Sequence, residues 1–311
     1  MFKIAKILPA SSTLLIPIVL SGALLASCGA SSASASPVHL ANQQALLSSY
    51  RMTRQQRSFA IGTVETISTD GGSGTSQTNG YVYETGTNPI TIDARLTNQS
   101  HSTFSVGLVD SSELVVGSTI YFGIPSNELG LTTLSGAKWI QAPLAHPPSL
   151  LTSPLVQVNS TDPTSVLANF ASRTGVPITK VGPATVDGHA TTEYSASINA
   201  RQFLQVAATK SGGKALAKAL NQVNFDSPIM VKFWIGSNQL LRQYTISMDI
   251  SEPQPGAPGN NAPASYSIQV DLSQYGKTFP AVSAPVGGVI NAKTFISAIE
   301  AEGTPPADAG A

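Results

Sequence analysis

The stretches IMVKFWI at residues 229–235, YTISMDI at 244–250 and YSIQVDL at 266–272 decide the fold. In the second stretch Tyr244, Ile246 and Met248 alternate with the polar Thr245 and Ser247, and the other two stretches follow the same period. A period of two places successive side chains on opposite faces of a β-strand. Three such strands in succession predict an antiparallel sheet with one dry face and one wet face.

Turn residues divide much of the remaining chain into short β-rich runs. Gly117-Ser118, Asp187-Gly188 and Gly236–Asn238 read as tight hairpin turns. Asp70–Gly74 is a further turn signal, and residues 70–80 and 252–263 are expected to form long loops. We expect about ten strands, including one at residues 103–109. They follow one another in runs, without βαβ alternation.

Helical spacing or helix boundary signals occur at residues 40–57, 164–172, 200–223 and 291–300. Separate runs of strands and helices indicate the α+β class, with one large antiparallel sheet. The dry face of that sheet needs a cover, because exposed apolar surface is unfavourable in water. The first three helices are the available covers.

The N-terminus has the layout of a secretory signal peptide over residues 1–27. Lys3 and Lys6 precede an apolar run at residues 7–25. The run ends in LASC at residues 25–28, which resembles the lipobox of bacterial lipoproteins. That resemblance implies cleavage before Cys28, a diacylglycerol on its thiol and a further acyl chain such as palmitate on its amine. An ordinary signal peptide, or an N-terminal transmembrane helix with an incidental cysteine, is the alternative interpretation.

The predicted domain organisation follows from this N-terminus. Residues 28–38 form the lipidated cysteine and a flexible tether, since SSASASP at residues 31–37 is small and uncharged. Residues 39–302 form a single domain, and residues 303–311 a disordered tail. No apolar run after the signal reaches the roughly 18 residues that a membrane span needs.

Charge and cysteine content exclude several classes of protein. The chain has 17 basic and 17 acidic residues, and removal of residues 1–27 takes away two lysines, which leaves 15 against 17 and a net charge of −2. Charged residues are 11% of the chain, so the sequence offers no basic patch for nucleic acid. Cys28 is the only cysteine, so disulfides do not stabilise the domain.

The sequence predicts no catalytic residue, no metal site and no cofactor. Its four histidines are scattered and have no metal-ligand spacing. Glu65, Glu84 and Asp93 fall on successive predicted strands and are candidates for paired carboxylates. We favour the interpretation that all three face solvent.

Several segments together resemble the mycobacterial LppX/LprG-type lipoprotein family. They are ELVVGSTIY at 113–121, GAKWI at 136–140, VDGHATTEY at 186–194, KFWIGSNQLLR at 232–242 and YGK at 275–277. Their order and spacing agree with the family over roughly residues 40–290. The chain departs from it at Ser237-Asn238-Gln239, where the family often has Asp and Gly, and in the two loops at 70–80 and 252–263.

The resemblance implies a fold related to the LolA and LolB carriers, in which a curved antiparallel half-barrel is covered by helices above an apolar cavity. It also implies binding of lipid or lipoglycan acyl chains, work on the extracytoplasmic face of the cell membrane, and an envelope transporter as a possible partner. The membrane itself is a partner through Cys28. Candidate cavity residues are Val115, Tyr121, Trp139, Tyr194, Phe233, Tyr244, Ile246, Met248, Tyr266 and Ile268.

Two other functions stay open at the level of sequence. A protein-interaction or sensory module would have the same strands with a packed core and no ligand. An envelope hydrolase is the least favoured, because the sequence shows no nucleophile–base or metal constellation.

Overall fold

A computed structural model describes residues 37–69, 72–85, 91–102, 111–124, 136–143, 165–172, 176–199, 224–225, 227–253 and 261–303. The predicted signal peptide, Cys28, the strand at 103–109, the helix at 200–223 and most of the C-terminal tail lie outside these residues.

The described residues form three helices and thirteen strands. The helices are α1 Pro37–Gln55, α2 Ser165–Ser172 and α3 Ala292–Gly303. The first strands are β1 Ser58–Thr69, β2 Gly72–Thr85, β3 Thr91–Ser102, β4 Ser111–Val116, β5 Thr119–Gly123 and β6 Trp139–Pro143. They are followed by β7 Ile178–Val186, β8 His189–Ile198, β9 Asn224–Phe225, β10 Ile229–Gly236, β11 Leu241–Pro253, β12 Asn261–Ser273 and β13 Val289–Asn291.

All thirteen strands belong to one sheet, in the order β13-β6-β5-β4-β3-β2-β1-β12-β11-β10-β8-β7, with β9 paired to β11. Every pairing is antiparallel except that of β13 with β6. The predicted α+β class with one large antiparallel sheet, which is not closed into a barrel, is confirmed. The strands outnumber the predicted ten partly because β9 and β13 are too short to leave a periodic signal.

Strands β10, β11 and β12, which contain the stretches at residues 229–235, 244–250 and 266–272, are neighbours in this sheet. Val231 of β10 lies opposite Ile246 of β11, which lies opposite Ile268 of β12. All three side chains are buried, while Thr245 and Ser247 between them are partly exposed. The predicted alternation of dry and wet faces is confirmed here.

Two of the predicted hairpins have the backbone conformation that their residues favour. Asp187 and Gly188 both have positive φ, 48° and 75°, as a two-residue type I′ turn between β7 and β8 requires. Gly117, with φ 59°, is the first residue of the two-residue turn between β4 and β5. These turns fix the register of both hairpins.

The long loop expected at residues 70–80 is wrong, and the loop expected at 252–263 is wrong in its bounds, while residues 254–260 within it lie outside the described residues. Strand β2 begins at Gly72, opposite Thr69, and continues through Gly80. Strand β11 extends to Pro253, which lies opposite Asn261 at the start of β12. These extensions are rich in Gly, Ser, Thr, Pro and Asn, so backbone pairing forms them without a hydrophobic pattern that would reveal them.

Helices α1 and α2 cover one end of the sheet. The Asn42 side chain of α1 donates to the Ile178 carbonyl at 2.8 Å, and Thr53 accepts from the Leu241 amide at 3.0 Å. In α2, the Phe170 ring meets the Phe233 ring of β10 edge to face, with centroids 5.4 Å apart. The predicted helices at 40–57, 164–172 and 291–300 are thus present, and the first of them begins earlier, at Pro37.

The segment after β12 crosses the opposite face of the sheet. The Phe279 ring stacks on Tyr81 of β2 with centroids 5.0 Å apart, and the Tyr83 hydroxyl hydrogen-bonds the Phe279 backbone. Tyr81 and Tyr83 alternate with the fully buried Val82. This segment therefore leads the chain along the outside of the sheet to β13, beside β6.

The turn between β10 and β11 generates a stability prediction. Gln239 has φ 63° and donates its amide to the Gly236 carbonyl at 2.8 Å. A non-glycine residue in this left-handed conformation costs about 1 kcal/mol. We expect Gln239→Gly to raise the free energy of unfolding by about 0.5–1 kcal/mol, less than the full strain because glycine also gives the unfolded chain more freedom. Urea unfolding of the two proteins measures the difference.

Ser237→Gly in the same turn is the matched control, since Ser237 is not among the residues with positive φ. It is expected to destabilise the protein slightly. A loss of stability in Gln239→Gly comparable to that of the control would contradict the account of the strain.

Candidate functional site

One face of the sheet, which we call the inner face, carries continuous rows of buried side chains. In one row, Phe59, Val82, Val115, Ile120 and Ala142 follow each other from β1 to β6, with β3 between the second and the third. The first four of these side chains are fully buried or nearly so. The row therefore extends the buried apolar face from β1 to β6.

Two more rows cross the other half of the inner face. One consists of Ala196, Val231, Ile246 and Ile268, and the next of Tyr194, Phe233, Tyr244 and Val270. All eight are buried. Eight of the ten predicted cavity residues lie on the inner face: Val115, Tyr194, Phe233, Tyr244, Ile246, Met248, Tyr266 and Ile268.

The other two candidates, Tyr121 and Trp139, lie on the opposite face. Tyr121 alternates with the buried Ile120 and Phe122, and Trp139 precedes the buried Ile140 in the same alternation. They are therefore not part of the inner face. Large aromatic side chains suggested an interior position, whereas the period of the strand assigns the inner face to their neighbours Ile120, Phe122 and Ile140.

Polar side chains interrupt the inner face in β1. Thr63 lies opposite Val270 and Glu65 opposite Ile268, and their exposed fractions are only 2% and 8%. The expectation that Glu65 faces solvent is wrong, because Glu65 shares a strand face with the buried Phe59 and Ile61. The side chains of Glu84 and Asp93 lie outside the described part of the structure.

A second carboxyl group lies on the inner face in β4. Glu113 is 1% exposed and precedes Val115 on the same face of the strand. Sequence reasoning did not single out Glu113 or Thr63. Their positions two residues from an apolar side chain on a strand were the available signal.

Burial raises the pKa of the Glu65 carboxyl to about 8, and the charge of Glu113 acts in the same direction. A hydrogen bond from the Tyr266 hydroxyl acts against this rise. Burial also raises the pKa of Tyr266 well above its usual value, with further contributions from the charge of Glu65 and the hydrogen bond to it. At pH 7 Glu65 is therefore largely a neutral carboxylic acid, able to donate and to accept a hydrogen bond.

Two oxygen atoms in this polar part of the inner face have no hydrogen-bond partner among the described residues. They are Oγ1 of Thr63 and Oε1 of Glu65, and both are inaccessible to solvent. A buried polar atom without a partner costs about 1–3 kcal/mol. The inner face thus combines a broad apolar surface with a small unsatisfied polar centre.

Among the described residues, no group of three or more His, Cys, Asp or Glu side chains could hold a metal ion. Within the same residues, no helix is long and apolar enough to span a bilayer. Cys28 precedes the described residues.

The sequence matches no protein-family model, and no curated protein matches it significantly. Solved structures do match. LprF from Mycobacterium bovis is 15% identical, over 82% of this chain and 100% of that one, with a TM-score of 0.45. Lipoprotein LppX from Mycobacterium tuberculosis is 16% identical, over 77% and 97%, with a TM-score of 0.41. The fold is similar to that of the mycobacterial LppX-type lipoproteins.

A LolA superfamily protein from Nitrosomonas europaea also matches, with 12% identity over 77% of this chain and 94% of that one and a TM-score of 0.27. Two LppX-type lipoproteins are thus among the solved structures that this chain is similar to. At these identities the similarity concerns the fold alone.

The buried carboxyl group of Glu65 predicts a pH dependence of stability. The unfolded chain loses this proton near pH 4.5, whereas the folded protein keeps it until about pH 8. Between these values the folded state binds more protons, so its stability falls as the pH rises, by up to about 1.4 kcal/mol per pH unit. Glu65→Gln removes this slope. Urea unfolding from pH 5 to pH 8 should therefore show the variant gaining stability over the wild type as the pH rises.

Glu193→Gln is the matched control. Glu193 forms a partly exposed ion pair with Lys232, at 3.1 Å, away from the buried carboxyl groups. Removal of such a pair changes stability by at most about 1 kcal/mol. Equal pH dependence in the wild type and in Glu65→Gln would show that Glu65 is not buried as described.

Proposed function

We propose that this protein is a membrane-anchored lipoprotein of the extracytoplasmic face that binds acyl chains of a lipid or lipoglycan against the inner face of its half-barrel. It carries or presents them in the cell envelope, with an envelope transporter as a candidate partner. The observation that carries the proposal is the extent of the apolar inner face. Its rows of buried side chains run across the neighbouring strands from β8 to β6.

The chemistry of this face suits hydrocarbon. Burial of an acyl chain gives about 0.8 kcal/mol per CH₂ and needs no directional contact. Rows of Ile, Val, Phe and Met side chains supply such a surface over several neighbouring strands. A chain laid across them is shielded from water on the side of the sheet, and movable helices are the natural cover for its other side.

The N-terminal sequence supports an anchored carrier. A lipobox-like LASC at residues 25–28 follows a signal-peptide pattern, and α1 begins only nine residues after Cys28. Two or three acyl chains on one cysteine give stable membrane attachment, whereas a single chain gives marginal binding. The proposed carrier therefore works close to the membrane that supplies its lipid.

The proposal assigns no catalytic residue. Acyl-chain binding depends on apolar burial and shape, so it requires no nucleophile, base or metal. The inner-face carboxyl group of Glu65 is mainly neutral near pH 7. A bound hydrocarbon chain beside it therefore does not have to desolvate a charged carboxylate.

Lipid analysis of the full-length protein tests the proposed function. The protein is extracted from membranes, transferred from detergent to amphipol and measured by native mass spectrometry. We expect bound lipid beyond the covalent anchor. Ile268→Trp, which adds bulk on the inner face, should reduce that lipid at least several-fold, and circular dichroism confirms folding.

Gln269→Trp is the matched control, because the neighbouring residue of the same strand points to the other face. It should retain the lipid. A folded wild-type protein without noncovalent lipid would contradict the proposal and favour the interaction or sensory module with a packed core.

The anchor has a separate test. Growth of expressing bacteria with radiolabelled palmitate should label the full-length protein, and Cys28→Ala should abolish the label completely because no other cysteine exists. Ser27→Ala, which keeps a small residue before the cysteine, is the control and should retain the label. Label on Cys28→Ala would contradict the assignment of the anchor.

A further inference from the structure

Thr63 and Glu65 form the polar centre of the inner face, where a ligand could make hydrogen bonds. We infer that Thr63 and Glu65 bind a hydroxyl group of the lipid, so that the protein selects hydroxyl-bearing amphiphiles over purely hydrocarbon ones. This inference rests on the proposed function, since it concerns the same face and the same guest.

The two side chains lie on the inner face of the same strand. Thr63 and Glu65 are two residues apart on β1, so they point to the same face about 7 Å apart along the strand. Their cross-strand partners in β12, Val270 and Ile268, belong to the two apolar rows. A chain that follows these rows passes directly beside both polar groups.

One oxygen atom of each side chain lacks a hydrogen-bond partner. Oγ1 of Thr63 and Oε1 of Glu65 are buried without a hydrogen-bond partner among the described residues, although Glu65 accepts a hydrogen bond from Tyr266. Buried polar atoms are almost always satisfied in folded proteins, and an exception requires an explanation. A bound polar group supplies the missing partner.

The two side chains also restrict the chemical character of a bound group. A threonine hydroxyl and a neutral carboxylic acid each donate and accept one or more hydrogen bonds. A hydroxyl group has the same dual capacity, whereas a cationic headgroup offers no acceptor for the two donors, and an anionic one would meet the carboxyl groups of Glu113 and Glu65 on this face. The hydroxyl is therefore the group that matches both oxygen atoms.

The hydroxyl has two possible sources, a hydroxylated acyl chain or a polyol headgroup. Two equimolar pairs of probes distinguish them. The first pair is methyl 12-hydroxystearate with methyl stearate, and the second is 1-stearoylglycerol with its 2,3-dimethyl ether. Full-length protein in amphipol is incubated with each pair, and native mass spectrometry gives the ratio of the two bound species.

We expect the wild type to prefer the hydroxyl-bearing member of at least one pair by about five- to tenfold, the ratio that one or two net hydrogen bonds give. The preferred pair identifies the source of the hydroxyl. Thr63→Val and Glu65→Leu should bring that ratio close to one while they still bind the plain probe. Glu65→Gln, which keeps a donor and an acceptor, should retain most of the preference.

Thr191→Val is the matched control. Thr191 also has a buried hydroxyl without a partner among the described residues. It lies near the start of β8, opposite Gly236 of β10 and away from Thr63 and Glu65. Its substitution should leave the ratio unchanged. Binding of both members of each pair without preference would overturn this inference and leave the proposed function intact. Failure of the wild type to bind any probe would overturn both.

Discussion

The whole structure depends on the geometric rule that neighbouring residues of a β-strand point to opposite faces. Because the antiparallel strands from β7 to β6 are joined in one ladder, each register fixes which side chains share a face over the full width of the sheet. The rows that pass through Phe233 and Ile268 exist for this reason. A shift of one residue in a single strand would exchange its inner and outer side chains and break the apolar surface.

The same rule explains both the polar centre and its cost. Because Phe59 and Ile61 are buried, the period of two also places Thr63 and Glu65 on the inner face, although water would solvate their polar groups better. The carboxyl group responds by keeping its proton, with a pKa of about 8, and by accepting a hydrogen bond from Tyr266. The cost of such a buried carboxyl group on a largely apolar face is offset if a guest binds to it. A half-barrel with both features is suited to an amphiphile, not to a plain hydrocarbon.

Much of this architecture could be predicted from the sequence, and the failures have physical causes. The alternation around Tyr244 and Ile268 and the Asp187-Gly188 turn specify strands, faces and a hairpin through local geometry alone. Residues 72–80 of β2 were not predicted as a strand, because backbone pairing with β1 holds them in place without a pattern of apolar side chains. Tyr121, Trp139 and Glu65 were misplaced because residue type was given more weight than strand period, although the period was visible in each case. The closeness of Glu65 to Tyr266 depends on the pairing of β1 with β12, two strands some 200 residues apart, and no local pattern contains it.

The central claim is that a guest's hydrocarbon lies on the inner face of the sheet, and a crystal structure with a brominated acyl chain tests it most directly. Full-length protein loaded with 9,10-dibromostearate should show anomalous bromine peaks in contact, at about 4–4.5 Å, with the side chains of Ile246 and Ile268. Bromine peaks only on the outer face, or an inner face filled entirely by side chains of the protein itself, would contradict the account.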